Sequence, residues 1–213
     1  AKSYGVEVIP IDVEWGTAPK PEVIKDALKK HPDAKAVYTT LCETSTATVY
    51  DIKSIGQILK PTNALFVVDV ISGLGADDFE NDAWGVDIAV GGSQKGLMIP
   101  PGLAFCSVSE KAWKSVEASK LPKFYFNFKK YKKAYLDTDT PFTSAITLVI
   151  GLKKALDMIN TKGIDNVLAE HKRLAVAARE AVKAIGLEIF SKSPSFAVTA
   201  VNIATRTITF VGD

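Results

Sequence analysis

Cysteine and histidine are scarce in this chain of 213 residues, which contains two of each. The cysteines, Cys42 and Cys106, form no Cys-x-x-Cys pair, which argues against a disulfide framework and against a zinc site. The histidines, His31 and His171, do not form a pair at ligand spacing, so no metal site is predicted. A reducing compartment is the simplest interpretation, and we expect a cytoplasmic protein.

The chain also lacks a long apolar run, a strong excess of one charge and a recognisable leader. No apolar segment approaches the roughly 20 residues that a membrane span needs. The 26 basic and 24 acidic residues leave a net charge of +2, which favours neither nucleic acid nor an anionic membrane as a partner. The first ten residues, "AKSYGVEVIP", do not form a basic-then-apolar leader, so no signal peptide is expected.

Apolar residues make up 47% of the chain, enough for a good core, and they fall into runs that alternate with helical patterns. The runs predict strands at 6–13, 34–40, 64–70, 86–92 and 103–109. The helical patterns between them cover 21–31, 51–60 and 109–118. Pro10 argues that the first strand lies at an edge or a bulge. Because the strand runs are apolar throughout, we predict an α/β fold with a mostly parallel sheet covered by helices on both faces.

The pattern changes after residue 143. Long helices are predicted at 144–159 and 164–185, and short strands follow. We place a boundary near 161–163, which gives a large domain at 1–161 and the start of a small α+β domain at 162–213. The opening "AKSYG" reads as the last turn of a helix that Gly5 ends, so we expect further chain upstream.

Ligands of open parallel sheets bind beyond the carboxyl ends of the strands, so the residues that follow each strand are the candidates for chemistry. These residues read "LCETST" at 41–46, "DVIS" at 69–72 and "GGSQK" at 91–95. The three stretches together offer carboxylates, hydroxyls, an amide and an amine at one edge of the predicted sheet.

Two of these side chains indicate which kind of ligand the edge of the sheet could bind. Asp69 ends an apolar run, where a carboxylate either caps the following turn or faces a cationic ligand atom. Lys95 follows the next strand, where it is either a solvated loop lysine or an amine that attacks a carbonyl. A lysine for an aldehyde and an aspartate for a pyridinium nitrogen are together what pyridoxal 5'-phosphate requires.

Three stretches carry a resemblance to a known family. Residues 67–105, "VVDVISGLGADDFENDAWGVDIAVGGSQKGLMIPPGLAF", closely resemble the class V aminotransferases of the fold type I pyridoxal-phosphate enzymes, and among them the serine–pyruvate and alanine–glyoxylate group. "CETSTATV" at 42–49 resembles that group's Glu-Thr/Ser-Ser-Thr-Gly stretch, and "DTPFTSAITL" at 139–148 resembles its Thr-Pro-Phe-Thr-Pro stretch. The resemblance runs from about residue 4 to about residue 203.

The resemblance implies the fold type I large domain and an aminotransferase. Such an enzyme moves an amino group from a small amino acid such as alanine or serine to a 2-oxo acid such as glyoxylate or pyruvate. Lys95 would form the Schiff base with pyridoxal 5'-phosphate and carry the proton that the reaction moves. Asp69 would pair with the pyridinium nitrogen and keep it protonated.

The resemblance also implies the remaining contacts with the cofactor. Ile71 would press on one face of its ring, and Thr44 would hydrogen-bond on the side of its 3-hydroxyl group. Gln94 would approach the phosphate. Thr143, and with a weaker match Thr140, would reach the phosphate bound in the neighbouring subunit, so the implied assembly is a homodimer with shared active sites.

The chain departs from the family at several points. Leu41 and Cys42 stand where the family has His before Glu-Thr-Ser, and Ala47 stands where it has Gly. The family's chain is longer, with its glycine-rich phosphate turn upstream and its carboxylate-binding arginine downstream, for which Arg206 is a weak match. We therefore expect a fragment of a transaminase, and the alternative is a non-catalytic remnant that keeps the fold.

Two further signals have competing interpretations. Cys42 raises the possibility of a cysteine desulfurase, but those enzymes carry His where this chain has Gln94, so we expect Cys42 to be a packing residue. Residues 120–135 interleave lysines with aromatic residues. This pattern fits single-stranded nucleic acid, or a connector that packs its aromatic rings inward at a subunit interface.

Overall fold

The computed structural model describes residues 1–203 and the backbone of 206–211. A short 3-10 helix at Lys2–Tyr4 comes first, and Gly5 ends it in the left-handed region with φ of 74°. The other helices are α1 (Pro21–Lys30), α2 (Ile52–Leu59), α3 (Glu110–Ala118), α4 (Phe128–Leu136), α5 (Ile146–Lys162) and α6 (Ile164–Ala184). The strands are β1 (Ala36–Thr40), β2 (Cys42–Glu43), β3 (Thr48–Val49), β4 (Leu65–Asp69), β5 (Ile88–Gly92), β6 (Ala104–Val108), β7 (Glu188–Ile189), β8 (Val198–Ile203) and β9 (Arg206–Val211).

The main sheet has four strands in the order β1-β4-β5-β6. The first three are parallel, and β6 runs antiparallel to β5. In this register Thr40 pairs with Asp69, and Asp69 pairs with Val90, so the carboxyl ends of the parallel strands meet at one edge. The prediction of an α/β fold with a mostly parallel sheet is confirmed.

The core lies on one face of this sheet. Phe66 and Val68 of β4 are fully buried against Ile52 and Ile55 of α2, because alternate strand residues point to the same face. The described residues leave the opposite face partly uncovered: Val67 and Val90 are half-buried, and Tyr38 of β1 is 68% exposed there.

The prediction of a strand at 6–13 is wrong. The segment forms no strand, and its only residue that is not exposed is Ile11. An apolar run becomes a strand only where another strand's backbone groups are free to pair with it. Within the described residues, this segment finds no such partner, and Pro10 has no N–H group to offer.

Side-chain caps begin two of the helices. The Asp51 carboxylate accepts a hydrogen bond from the Ser54 N–H group at 2.9 Å and begins α2. The Ser109 hydroxyl accepts one from the Ala112 N–H group at 3.1 Å and begins α3. Each side chain satisfies a backbone donor that the first turn of a helix leaves unpaired.

A second, antiparallel sheet of β7, β8 and β9 follows α6. A small cluster joins it to the β2–β3 hairpin, with Cys42 and Ala47 packed against Val198 and Ala200. Cys42 is 3% exposed, so the interpretation of this cysteine as a packing residue is confirmed. No helix among the described residues is both long enough and apolar enough to cross a bilayer.

Candidate active site

Three loops converge beyond the carboxyl ends of β1, β4 and β5. The Leu41 N–H group donates to the Asp69 carbonyl at 2.8 Å, which ties the end of β1 to the end of β4. The Val70 N–H group donates to the Val90 carbonyl at 2.9 Å, which ties β4 to β5 in the same way. The stretches that contain the three sequence motifs therefore begin side by side at one edge of the sheet.

The loop that carries Lys95 is fixed against the loop that follows Asp69. A Cβ atom at Gly96 would lie 2.3 Å from the Leu74 carbonyl oxygen, so only glycine permits this close approach. Gly75, at φ of 83°, lies beside Gly96 on the other side of the contact. The glycine after the lysine thus lets two backbones touch and sets the distance between the two loops.

Buried hydrogen bonds of Ser93 also hold the loop that carries Lys95. The Ser93 hydroxyl is fully buried and donates to the Pro100 carbonyl at 2.8 Å. It also accepts from the Leu103 N–H group at 3.2 Å. Because both partners lie in the Pro-Pro-Gly segment or just after it, the serine closes the loop around the lysine. This gives a physical reason for the Ser-Gln-Lys…Pro-Pro-Gly pattern.

The Lys95 side chain is half-buried, and among the described residues its ammonium group has neither an ion pair nor a hydrogen bond. The positive charge of Lys95 interacts electrostatically with the thiol of Cys42. Burial raises the pKa of that thiol to about 12, and the positive charge of Lys95 opposes the rise. The amine therefore has no competing partner among the described residues, whereas burial disfavours the nucleophilic thiolate form of Cys42.

Asp69 ends β4 at an exposed position. Its Oδ1 atom accepts a hydrogen bond from the Ile71 N–H group at 2.8 Å. The carboxylate thus forms the turn-capping contact that was one of its two interpretations. Within the described part of the chain its second oxygen has no hydrogen-bond partner, so the carboxylate can still accept from a ligand.

Three more of the predicted residues lie at this edge. The Thr44 hydroxyl is 2.5 Å from the hydroxyl of Ser72, which joins the loop after β1 to the loop after β4. The Gln94 side-chain oxygen and the Ile71 side chain both lie over Gly92, where a Cβ atom would meet them at 3.1 Å and 3.5 Å. The structure therefore brings Lys95, Asp69, Thr44, Ile71 and Gln94 to adjoining loops.

Thr143 does not join this group within the chain. It is exposed in the loop between α4 and α5, and its hydroxyl makes no hydrogen bond to any described residue. Thr140, in the same loop, donates its hydroxyl proton to the Phe142 carbonyl at 2.9 Å. The side chain of Arg206 lies outside the described residues.

Ala47 stands where the family has glycine, and the structure shows how the alanine is accommodated. Its φ is 54°, in the left-handed region that glycine adopts freely and alanine does not. The side chain is fully buried against the second sheet. The loop therefore keeps a glycine-like backbone, and packing of the alanine methyl group offsets the strain.

Sequence reasoning missed a buried contact that ties the second sheet to this edge. Asp77, 3% exposed, accepts from the Ser195 hydroxyl at 2.5 Å and from the Phe196 N–H group at 2.7 Å. The Arg179 guanidinium donates to the carbonyls of Pro194 and Ser195. Burial raises the pKa of Asp77, while the two hydrogen bonds and Arg179 oppose the rise. The partners are more than a hundred residues apart, so no local pattern could have revealed them.

Two cavities lie near these loops. One, of about 400 Å³, runs along the uncovered face of the sheet and includes Tyr38, Val67, Asp69 and Val90 in its wall. The other, of about 210 Å³, lies between Ala76 and Asp78 of the loop after β4 and residues 165–172 of α6. Among the described residues, Asp69 is the one predicted site residue in these walls, so the first cavity is the one that adjoins the site.

Comparison with known proteins places this arrangement in a family. The model of the family described as Aminotransferase class-V matches residues 1–209. An uncharacterized aminotransferase of Methanocaldococcus jannaschii is 42% identical over 93% of the chain and 52% of its own length. A soluble hydrogenase small subunit of Synechococcus sp. is 41% identical over 93% and 53%. An L-aspartate–glyoxylate aminotransferase of Paracoccus denitrificans is 37% identical over 94% and 52%.

Solved structures give the same result. The crystal structure of an alanine–glyoxylate aminotransferase from Nostoc sp. superposes with a TM-score of 0.91 at 26% identity, covering 96% of this chain and 55% of that one. The chain spans about half the length of the relatives that it matches. Since the family model covers nearly all of the sequence and the fold agrees, this chain belongs to the class V aminotransferase family.

Proposed function

We propose that this chain is the central part of a pyridoxal 5'-phosphate-dependent aminotransferase with Lys95 as the residue that attaches to the cofactor. The amino donor is a small amino acid such as alanine or serine, and the acceptor is a 2-oxo acid such as glyoxylate or pyruvate. One observation carries the proposal. The close contact of Gly96 with Leu74 holds Lys95 beside the loop of Asp69, and among the described residues the lysine amine and one oxygen of the aspartate have no partner.

The residues present fit this cofactor. When bound, it supplies an aldehyde for covalent attachment and a protonated ring that withdraws electrons from the bound amino acid. The half-buried Lys95 amine has no competing partner among the described residues, so it is free to attach and to carry the proton. The free oxygen of Asp69 would accept a hydrogen bond from the protonated ring nitrogen, and the negative charge of the carboxylate would favour that charged form.

Three further residues orient the ring. Ile71 supplies an apolar surface for one face of it, and Thr44 supplies a hydroxyl donor for the ring's 3-oxygen. Gln94 supplies amide donors on the phosphate side. The hydrogen bond between Asp69 and the Ile71 N–H group supports this arrangement, because it links the group that holds the nitrogen to the group that packs on the ring.

Covalent attachment gives a direct test of this proposal. We expect the protein of full native length to absorb visible light after it binds pyridoxal 5'-phosphate, and borohydride reduction to fix the cofactor on the peptide that contains Lys95. Lys95→Ala should lose the fixed label completely. Lys53→Ala, which removes an exposed lysine of α2, should keep it. Failure of the unmodified protein to take up the cofactor would favour the non-catalytic alternative.

The assembly that we propose is a homodimer in which Thr143 acts on the neighbouring subunit's cofactor. Large apolar side chains are exposed along residues 121–150, and Phe126 and Tyr135 reach 82% and 81% exposure. A second copy that covers this region would remove a large apolar area from water. The exposed position of Thr143 in the same region supports its role across the interface.

Mixed dimers test the sharing of the site. If Thr143 acts across the interface, dimers that pair a Lys95→Ala subunit with a Thr143→Ala subunit contain one site with both native residues. That site should bind the cofactor with native affinity in a fluorescence titration. A weakened remaining site would mean that Thr143 acts within its own subunit, and a monomer in sedimentation velocity would remove the dimer altogether.

We also propose that the large domain ends near residues 161–163. Two features support this boundary: Gly163, at φ of 83°, separates α5 from α6, and the second sheet follows α6.

A further inference from the structure

The hydroxyl of Ser72 has no role in the arrangement described so far. Ser72 lies in the turn after β4 and is 7% exposed. Its Oγ atom is 2.5 Å from the Oγ1 atom of Thr44, which is 28 positions away in sequence. The packing of Leu41 against Gly73 fixes this contact, because a Cβ atom at Gly73 would lie 2.7 Å from the Leu41 side chain.

Each of the two hydroxyls carries one proton, and their surroundings decide which of them donates. Among the described residues, each hydroxyl has the other as its only hydrogen-bond partner. If Thr44 donated, the Ser72 proton would be left without an acceptor in a buried position, which is costly. If Ser72 donates, its own proton is satisfied, and the proton of the half-buried Thr44 remains available.

We propose that Ser72 is a positioning residue that donates to Thr44 and thereby directs the single Thr44 proton toward the cofactor's ring oxygen. The inference rests on the proposed function, since it needs a ring oxygen in front of Thr44. A hydroxyl that already accepts one hydrogen bond is also a better donor, because hydrogen bonds in a chain polarise one another. A donor at the ring oxygen stabilises negative charge there.

Two measurements separate this role from a structural one. In apo protein of full native length, Ser72→Ala should weaken the binding of pyridoxal 5'-phosphate about fivefold, the effect of one neutral hydrogen bond, as measured by quenching of tryptophan fluorescence. It should also move the pH midpoint of the bound cofactor's visible absorption upward, because a less stabilised oxygen anion holds the neighbouring proton more tightly. Ser72→Thr keeps the hydroxyl and should restore both values.

A double-mutant cycle then tests the connection through Thr44. Thr44→Val should cause a similar loss of affinity, and Ser72→Ala should add little in the Thr44→Val background. Equal losses in both backgrounds would overturn the inference, as would a Ser72→Ala protein that melts at a lower temperature but keeps the native affinity and pH midpoint. If the unmodified protein does not bind the cofactor at all, the proposed function fails, and this inference fails with it.

Discussion

Gly96 shows how one residue sets the geometry of a site. The lysine before it has the chemistry, but the missing side chain at Gly96 lets the loop rest on the Leu74 carbonyl. A glycine next to a functional residue is informative in sequence because it often marks a close approach of two backbones. Here the partner of that approach is the loop that begins at Asp69.

The charge of Asp69 gives a prediction for a single side chain. Asp69→Asn should keep the covalent attachment at Lys95, because that bond does not involve the carboxylate. Amino transfer should slow by about 100-fold or more, since a neutral amide does not hold the ring nitrogen protonated. Stopped-flow absorbance of a single half-reaction with alanine or serine measures the rate.

An exposed aspartate of the loop after α1 serves as the matched control for this experiment. Asp33→Asn removes the same charge before the amino end of β1, away from the carboxyl ends of the strands, and should leave the rate unchanged. An Asp69→Asn protein with the native rate would remove the role assigned to this carboxylate and leave it as a turn cap for Ile71.

Two helices of this chain illustrate how the same substitution, glycine to alanine, can lower the free energy of unfolding in one helix and raise it in another. Gly56 of α2 and Gly151 of α5 both lie within helices, where alanine is the most favourable residue and glycine is unfavourable. A Cβ atom at Gly56 would lie 1.8 Å from the Trp84 carbonyl oxygen, whereas at Gly151 the nearest atom is 4.0 Å away. The first glycine allows a helix to touch the loop before β5, and the second has no such contact among the described residues.

This contrast predicts the outcome of a matched pair of substitutions. Gly56→Ala should lower the free energy of unfolding by about 2–4 kcal/mol, because a backbone contact has to open in the core. Gly151→Ala should raise it by about 0.5–1 kcal/mol, because alanine reduces the entropy that folding removes. Urea denaturation of the two variants measures both values. Equal effects of the two substitutions would contradict the close approach of α2.

The lysine-rich segment became an element that the sequence pattern did not predict. Residues 128–136 form α4, capped by the Asn127 side chain. Several of its lysines are engaged within the chain: Lys132 lies 4.2 Å from the ring centre of Trp113, and Lys129 is 2.7 Å from Glu117. These contacts engage part of the basic charge within the chain, but the aromatic rings do not pack inward among the described residues, because Phe126 and Tyr135 are 82% and 81% exposed.

At the level of the whole molecule, Asp77 connects distant parts of the chain. Its hydrogen bonds with Ser195 and Phe196 join the loop after β4 to the segment before β8. The hydroxyl of Thr48 adds a contact of 2.9 Å with Ser191. The two sheets are thus held together by buried polar groups beside the candidate site, as well as by the small apolar cluster.

The raised pKa of Asp77 predicts how stability depends on pH. Because the pKa is higher in the folded state, the folded protein holds the proton more tightly than the unfolded chain. The contribution of Asp77 to the free energy of unfolding therefore falls as pH rises from 3.8, the ordinary pKa of this carboxyl group, through its raised pKa in the folded state. Asp77→Asn should lose this component, which chemical denaturation between pH 4 and neutrality measures.

An exposed carboxylate elsewhere in the chain provides the control for this pH dependence. Asp33→Asn should follow the native curve, because its side chain is exposed and Asp33 does not contribute to the raised pKa of Asp77. A difference between the native protein and Asp77→Asn that stays constant with pH would mean that burial does not perturb this group in the folded state.

The local sequence predicted most of the elements and which polar residues lie at the carboxyl edge of the sheet. The helix caps at Asp51 and Ser109 depend on contacts within four residues of sequence. The apolar runs of β4 and β5 predict strands whatever the strands pack against. The strand expected at 6–13 failed because pairing depends on a distant partner. Alternate burial along β4 was also missed, because an apolar run does not reveal which of its faces is covered.

The sequence by itself determined that a lysine and an aspartate follow neighbouring strands of a parallel sheet, since residue order and hydrophobic period carry that information. Only the tertiary structure decided that Gly96 rests on Leu74, that Ser72 meets Thr44 and that Asp77 meets Ser195. These contacts join residues that are 22 to 118 positions apart. Their energies depend on which backbones the packed core brings together, and no local pattern of residues specifies that.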